Sequence, residues 1–201
     1  MHDTHVSKKT IIKIHANIRQ MMARYNTRNR RRVGGVGCTV EMDECHLYTR
    51  KYNVGRVQRG QAWWAIGGIC RETRQMFVVI SPVRDQETMR RIIFHNIQAG
   101  STVYTDCWRG YNVISRMGLG YRHRTVNHTR FFVNPLDRDV HTNTIERSWR
   151  RLRESVPKQL SLKDIPSHVE QFLFYHHKNC RDSGEKFNAI VDLAKTFFPL
   201  N

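Results

Sequence analysis

Carboxylates are the scarce resource of this chain: 17 Asp and Glu stand against 34 Lys and Arg. Where acids interrupt apolar segments, their placement therefore carries information. Glu41, Asp43 and Glu44 lie inside CTVEMDECHLY (38–48), Asp106 closes STVYTD (101–106), and Glu146 follows Asn143 in HTNTIERSWRRLR (141–153). Strand alternation puts Glu41 and Asp43 on one face and Val40, Met42 and Glu44 on the other. A helix over the third segment stacks Asn143 and Glu146 one turn apart. Three converging carboxylates repel strongly unless a cation neutralises them. Hard oxygen donors favour Mg²⁺ or Mn²⁺. Two such ions about 4 Å apart suit in-line displacement at a phosphodiester. Taken singly, Asp43 and Asp106 read equally well as strand-end residues and Glu146 as a solvated helix position. Together, in a basic chain, they point to metal-dependent phosphodiester chemistry.

The formal net charge of +17 costs self-repulsion in the folded state and implies a polyanionic partner. Nucleic acid is the leading candidate, with Arg suited to bidentate phosphate contacts. Charge alone does not separate such an enzyme from a basic protein that only sits on RNA. The apolar fraction of 39% and the 201-residue length fit a folded domain with a real core. No apolar run reaches the length of a membrane span and the N-terminus is polar, so neither a membrane partner nor secretion is expected. The five cysteines form no CxxC pair, which argues against a disulfide framework and for an intracellular, reducing compartment. Cys38, Cys45 and His46 are close enough in sequence to raise a zinc site, but no second ligand pair completes it.

Those acids need elements to position them. Residues 10–25 place Ile11, Ile14, Ile18, Met21 and Tyr25 on one helical face. The basic run 28–32 reads either as a nuclear localisation signal or as a phosphate-binding arm, and the glycines at 34–37 read as a linker. Segments 38–48, 61–70 and 75–83 read as strands, the last two joined by a short hairpin. A helix near 86–98 has Asp85 as its cap and Met89, Ile92, Ile93 and Ile97 as its apolar face. A strand at 101–106, a helix at 108–117, a strand near 121–127 and helices at 142–155, 163–178 and 184–197 complete the chain. Three antiparallel strands followed by helix, strand, helix, strand, helix is the order of the ribonuclease H-like fold: an α/β domain with a mixed central sheet and flanking helices, here with a short N-terminal helix.

The segment HTNTIERSWRRLR resembles the N-x-x-E-x-x-W-x-x-x-K/R segment of DDE transposases. Around it stand VEMDE at 40–44, KYNVGR at 51–56, WWAIGGICRET at 63–73, YTDCWRGY at 104–111, TVNH at 125–128 and FVNP at 132–135. This ordered set is similar to the transposases of Merlin-type eukaryotic transposons and their bacterial insertion-sequence relatives, the group sharing the ISXO2-like transposase domain. The resemblance spans roughly residues 10 to 157. It implies Asp43, Asp106 and Glu146 as catalytic and metal-ligating acids, with Asn143 a further member of the site. It also implies two Mg²⁺ or Mn²⁺ ions, and DNA partners in the form of transposon ends and a target. Arg153 falls where relatives usually carry Lys, keeping a DNA contact with altered geometry. Arg147, Arg150 and Arg151 are candidate backbone contacts. Trp108 and Tyr111 are candidates to line the DNA groove, and Trp149 is read as core packing. Among His123, His128 and His141, the last is the best placed to act as a base.

The expected organisation is an N-terminal helix and basic linker at 1–33, a catalytic domain at 34–157 and a C-terminal helical extension at 158–201 packing on it. Relatives carry an end-binding module, of which residues 1–33 read as a remnant. The expected function is cutting and joining transposon DNA by hydrolysis and strand transfer, in the nucleus if the host is eukaryotic. A homodimer is expected, because two ends must be paired. Two rivals stay open: a catalytically silent, truncated or domesticated DNA-binding remnant, and a related nuclease or junction resolvase.

Overall fold

In a computed structural model of the chain, residues 6–47, 64–126, 139–157 and 160–199 are described. The elements run α1 (Lys8–Asn29), β1 (Val33–Gly34), β2 (Thr39–His46), β3 (Trp64–Cys70), β4 (Met76–Ser81), α2 (Gln86–Asn96), β5 (Ile97–Gln98), β6 (Thr102–Asp106), a 3-10 helix (Arg109–Arg116), β7 (Arg122–Val126), α3 (Asn143–Ser155), a short 3-10 turn (Leu162–Asp164), α4 (Ile165–His177) and α5 (Ser183–Phe197). Residues 61–63, the KYNVGR and FVNP segments and His128 lie outside the described residues.

Residues 31–154 form one compact unit. Its five-stranded sheet has the order β4-β3-β2-β6-β7. β2, β3 and β4 are antiparallel neighbours, while β6 joins β2, and β7 joins β6, in parallel. This mixed sheet with its helices is the ribonuclease H-like fold expected from the element order. Period-2 patterning decides which side chains go where. Val40, Met42, Ile66, Phe77 and Val103 face α2 and the 3-10 helix, closing a core with Met89, Ile93, Ile97, Tyr111 and Ile114. α2 begins where its cap predicts: Asp85 Oδ1 accepts the Thr88 N–H at 2.8 Å.

Two local expectations change. The stretch at 34–37 is more than a linker, because Val33 and Gly34 pair in parallel with Ile97 and Gln98. Gly34 has φ +87°, and a Cβ there would meet Ser101 Oγ at 2.5 Å, a site only glycine fills. The helix expected at 108–117 is a 3-10 helix starting at Arg109, packed tightly on the Trp108 ring at Gly110.

Residues 1–30 and 155–201 form the other unit. Here Met22, Phe174 and Leu193 make a small core, joined by Ile18, Met21, Tyr25 and Ile190. Asn26 Nδ2 donates to the carbonyl of Glu170 at 2.8 Å. The apolar face read for α1 is buried only from Ile18 onward; Ile11 and Ile14 are exposed. No helix among the described residues is long and apolar enough to cross a membrane.

Candidate active site

Parallel pairing brings the strands of the first two acids together. The β2–β6 ladder ends at Glu41 and Tyr104; two residues further along each strand lie Asp43 and Asp106, near enough for the Asp106 charge to act on the Asp43 carboxyl. Asp43 Oδ2 accepts the Trp149 Nε1–H at 3.0 Å, and Asp106 Oδ1 accepts the Trp108 N–H at 2.9 Å. Burial, then the charge of neighbouring Glu44 and, more weakly, that of Asp106, push the Asp43 carboxyl up to about 7, against hydrogen bonds from the Glu44 backbone and Trp149. A carboxyl so placed gains from any cation brought beside it.

α3 brings the third element onto this face. Its first turn is held by Glu41, whose side chain is fully buried: Oε2 accepts the N–H groups of Thr144 and Ile145 at 2.8 and 3.0 Å. Oε1 pairs with Arg71 Nε at 2.6 Å. The same guanidinium donates to the carbonyls of Asp139 and His141 and to His141 Nδ1, and it lies over the Tyr104 ring. Farther along α3, Trp149 is 2% exposed and rests against Gly67, where a Cβ would come within 2.6 Å of the indole.

Glu146 sits one turn before Trp149, exposed, and its Oε1 accepts from Thr142 Oγ1 at 2.9 Å. Asn143 is the first residue of α3. Among the described residues Asp43, Asp106 and Glu146 do not close into a cluster whose ligand atoms all lie within 4.8 Å of one another; Asp43 and Asp106 lie on neighbouring strands and Glu146 on α3. Cys38, Cys45 and His46 do not form such a cluster either.

Several functional neighbours escaped the sequence reading. Glu44, on the opposite face from Asp43, accepts a hydrogen bond from the Tyr111 hydroxyl and pairs with Arg84 Nη1 at 2.7 Å. The Arg84 guanidinium lies over the rings of Trp64 and Trp108, 4.3 and 4.5 Å from their centroids. Burial raises the Glu44 carboxyl; the Tyr111 bond and Arg84 oppose this and Asp106 adds to it. The one available signal was Glu44 following Asp43 directly in an apolar strand. Tyr111 is fully buried, so it has no surface for a DNA groove; its hydroxyl supports Glu44. Trp108 is half-buried at the edge of the same cluster.

On α3, Arg147, Arg150, Arg151 and Arg153 are exposed. Arg150 approaches Glu154 at 3.9 Å. Arg153 reaches back to Cys45 on β2: its charge and hydrogen bond pull down a thiol that burial nevertheless drives up to about 12. His141 meets Arg71 at 2.8 Å and Glu41 at 3.5 Å, and His123 bonds Thr105 Oγ1 at 2.9 Å.

The sheet order and flanking helices define a ribonuclease H-like domain. The sequence family described as ISXO2-like transposase domain matches residues 32–173, and the chain belongs to that family of DDE transposases. Among solved structures, the chain is similar to the simian T-cell lymphotropic virus intasome in complex with the PP2A regulatory subunit B56 gamma, at 12% identity and TM-score 0.40, over 86% of this chain and 52% of that one. It is also similar to the HTLV-2 integrase catalytic core domain in complex with magnesium. The trimeric form matches at 11% identity and TM-score 0.37, over 85% of this chain and 90% of that one. The dimeric form matches at 13% identity and TM-score 0.37, over 72% and 87%. Among curated proteins none matches the sequence.

Proposed function

We propose that residues 34–157 are the catalytic domain of a DDE transposase of Merlin-type transposons or their insertion-sequence relatives, acting on transposon ends and target DNA. The observation that carries this reading is that Asp43 and Asp106 lie on adjacent parallel strands, near enough for the Asp106 charge to act on Asp43, with α3 tied to Asp43 by the Trp149 hydrogen bond. The donors are hard carboxylate oxygens, and Asp43 is held up by burial and by the charges of Glu44 and Asp106, which fits a divalent cation. Asp43, Asp106 and Glu146 would hold two Mg²⁺ or Mn²⁺, with Asn143 beside them. Bound there, the ions activate the attacking oxygen and stabilise the leaving one.

In the first step a water oxygen bonds to phosphorus, the P–O3′ bond breaks, and the freed strand ends in a 3′-hydroxyl. In the second, that hydroxyl attacks a target phosphodiester; one P–O bond forms, the target's P–O3′ bond breaks, and the proton lost by the attacking hydroxyl is matched by one taken up by the departing 3′-oxygen. The chain's own part is to fix the acids: Glu41 and Arg71 hold the start of α3, and Trp149 orients Asp43. Exposed Arg147, Arg150 and Arg151, with Arg153 beside β2, supply phosphate contacts, and half-buried Trp108 is a further DNA contact. Helices α1, α4 and α5 serve as the flanking segments, a homodimer pairs the two ends, and the protein works inside the cell, in the nucleus of a eukaryotic host.

The test is a supercoiled donor plasmid bearing candidate inverted repeats, incubated with the full chain and Mg²⁺ or Mn²⁺. Metal-dependent nicking and joining, abolished by Asp106→Asn, is expected. Binding without cleavage, unchanged by Asp106→Asn, would instead mark a silent DNA-binding protein.

A further inference from the structure

Away from the acid pair, the ends of β2 and β3 bring another set of ligand-bearing side chains together. Cys38 precedes β2, Cys70 ends β3, and Glu72 lies in the turn to β4. Their sulfur and carboxylate atoms all lie within 4.8 Å of one another, and Cys70 Sγ is 3.2 Å from Glu72 Oε2. The backbone imposes this. Val40 pairs with Cys70, and the Arg71 N–H donates to the Thr39 carbonyl at 2.9 Å, so Cys38 and Cys70 share a face of neighbouring strands. Arg74, at φ 60°, closes the hairpin by donating its N–H to the Cys70 carbonyl at 2.9 Å. Glu72 is also oriented, because Oε2 accepts the Thr39 N–H at 3.0 Å.

Tetrahedral zinc bound to two thiolates and one carboxylate oxygen spaces its ligands at roughly 3.5 to 3.8 Å, given its bond lengths. Cys70 Sγ and Glu72 Oε2 stand 3.2 Å apart and all three groups lie within 4.8 Å of one another, so small side-chain shifts reach that spacing. Two sulfurs among three donors select a borderline-soft cation over Mg²⁺, and the Thr39 N–H is the kind of outer partner that fixes a ligating carboxylate. Cys70 is buried while Glu72 is exposed, which leaves an open side for a water as fourth ligand. We propose that Cys38, Cys70 and Glu72 form a Zn²⁺ site that pins the start of β2 to the β3–β4 turn. Binding forms two Zn–S bonds and one Zn–O bond and releases the two thiol protons to solvent. Burial, then the neighbouring Cys70 and Glu72, raise the Cys38 thiol in the metal-free site; a divalent cation reverses the effect of the last two. The cluster is separate from the aspartate pair and does not depend on the transposase reading.

The experiment titrates the full chain, kept reduced by a phosphine, with Co²⁺ and then Zn²⁺ in excess Mg²⁺, so that the carboxylate site is occupied. One equivalent of Co²⁺ is expected to give thiolate-to-cobalt charge-transfer absorption in the near ultraviolet, which Zn²⁺ removes. Cys38→Ser and Glu72→Gln should each weaken Zn²⁺ retention by at least about tenfold, with folding confirmed by circular dichroism, whereas Cys107→Ser should retain it. Absence of the charge-transfer band in the folded protein, or unchanged affinity in both variants, overturns the site. So does a Cys38–Cys70 disulfide that forms in air despite saturating Zn²⁺.

Discussion

The indole N–H of Trp149 donates to Asp43 Oδ2 across 3.0 Å, so this side chain ties α3 to β2 at Asp43. Trp149→Phe keeps most of the ring that fills the space over Gly67 and removes the donor. Loss of a bond to a carboxylate is expected to cost about 1–3 kcal/mol in chemical denaturation. Because that bond lowers the Asp43 pKa, the carboxyl should titrate higher in the variant by NMR. An unchanged titration would mean that the bond does not tune Asp43.

Gly67 tests the same joint from the sheet side. A Cβ there would sit 2.6 Å from the Trp149 ring and 2.7 Å from the Phe77 carbonyl oxygen. The backbone oxygen cannot move aside cheaply, so Gly67→Ala should destabilise by about 1–3 kcal/mol. Since the added methyl pushes on α3, strand-transfer activity should fall more than stability does. Equal Tm and activity to the parent would show that α3 docks with slack.

Much of this joint was legible in the sequence, because periodicity reports which face a residue takes. Alternation placed Asp43 opposite Met42 and Glu44, and helical spacing put Glu146 on the turn before Trp149; both hold. What periodicity does not report is the partner across space. Arg71, 30 residues from Glu41, ties it to His141 another 70 residues on, and nothing local marks that link. Tyr111 reads as a surface aromatic beside a basic turn, yet a tight 3-10 helix turns it inward to Glu44. Ile11 and Ile14 show the converse: they continue an apolar stripe past the point where α4 and α5 cover it.

Asp43 makes stability depend on pH. Its folded pKa of about 7 lies above the ordinary 3.8, so between those values the native state binds more protons than the unfolded chain. Stability of the metal-free protein should therefore be greatest at the acid end of that window and fall as pH rises through it. Thermal unfolding from about pH 5 to about pH 8 should show this slope, and Asp43→Asn should flatten it. Saturating Mn²⁺ should raise Tm more at the alkaline end, because binding must displace the Asp43 proton at the acid end. A slope that survives in Asp43→Asn would assign it to another group.

Glu41 is a buried carboxylate that accepts three hydrogen bonds, from Arg71 Nε and from the Thr144 and Ile145 N–H groups. Replacing it with Gln leaves Arg71 without its ionic partner and weakens the bonds to the Thr144 and Ile145 N–H groups. Breaking a buried pair from one side typically costs about 3–5 kcal/mol. Glu41→Gln is thus expected to lose more stability than Glu146→Gln, whose exposed side chain should cost under about 0.5 kcal/mol while abolishing cleavage. Denaturant midpoints for the two variants, set beside their activities, separate holding the helix from acting on DNA.

The arginines of α3 should divide by what they touch. Arg147 and Arg151 are exposed, and Arg150 faces only a long contact with Glu154; none has a buried role to lose. If they meet phosphates, each Ala substitution should lower the slope of log K against log salt by about 0.9 and leave stability unchanged. Arg153 differs, because its guanidinium bonds Cys45 beside Asp43. Arg153→Lys keeps the charge but not the planar fork, so it should preserve the salt slope while disturbing the Cys45 contact and the turnover of bound DNA. Fluorescence anisotropy across a salt series, run beside strand-transfer assays, measures both. A slope that is the same in Arg147→Ala, Arg151→Ala and the parent would remove α3 from the DNA-binding surface.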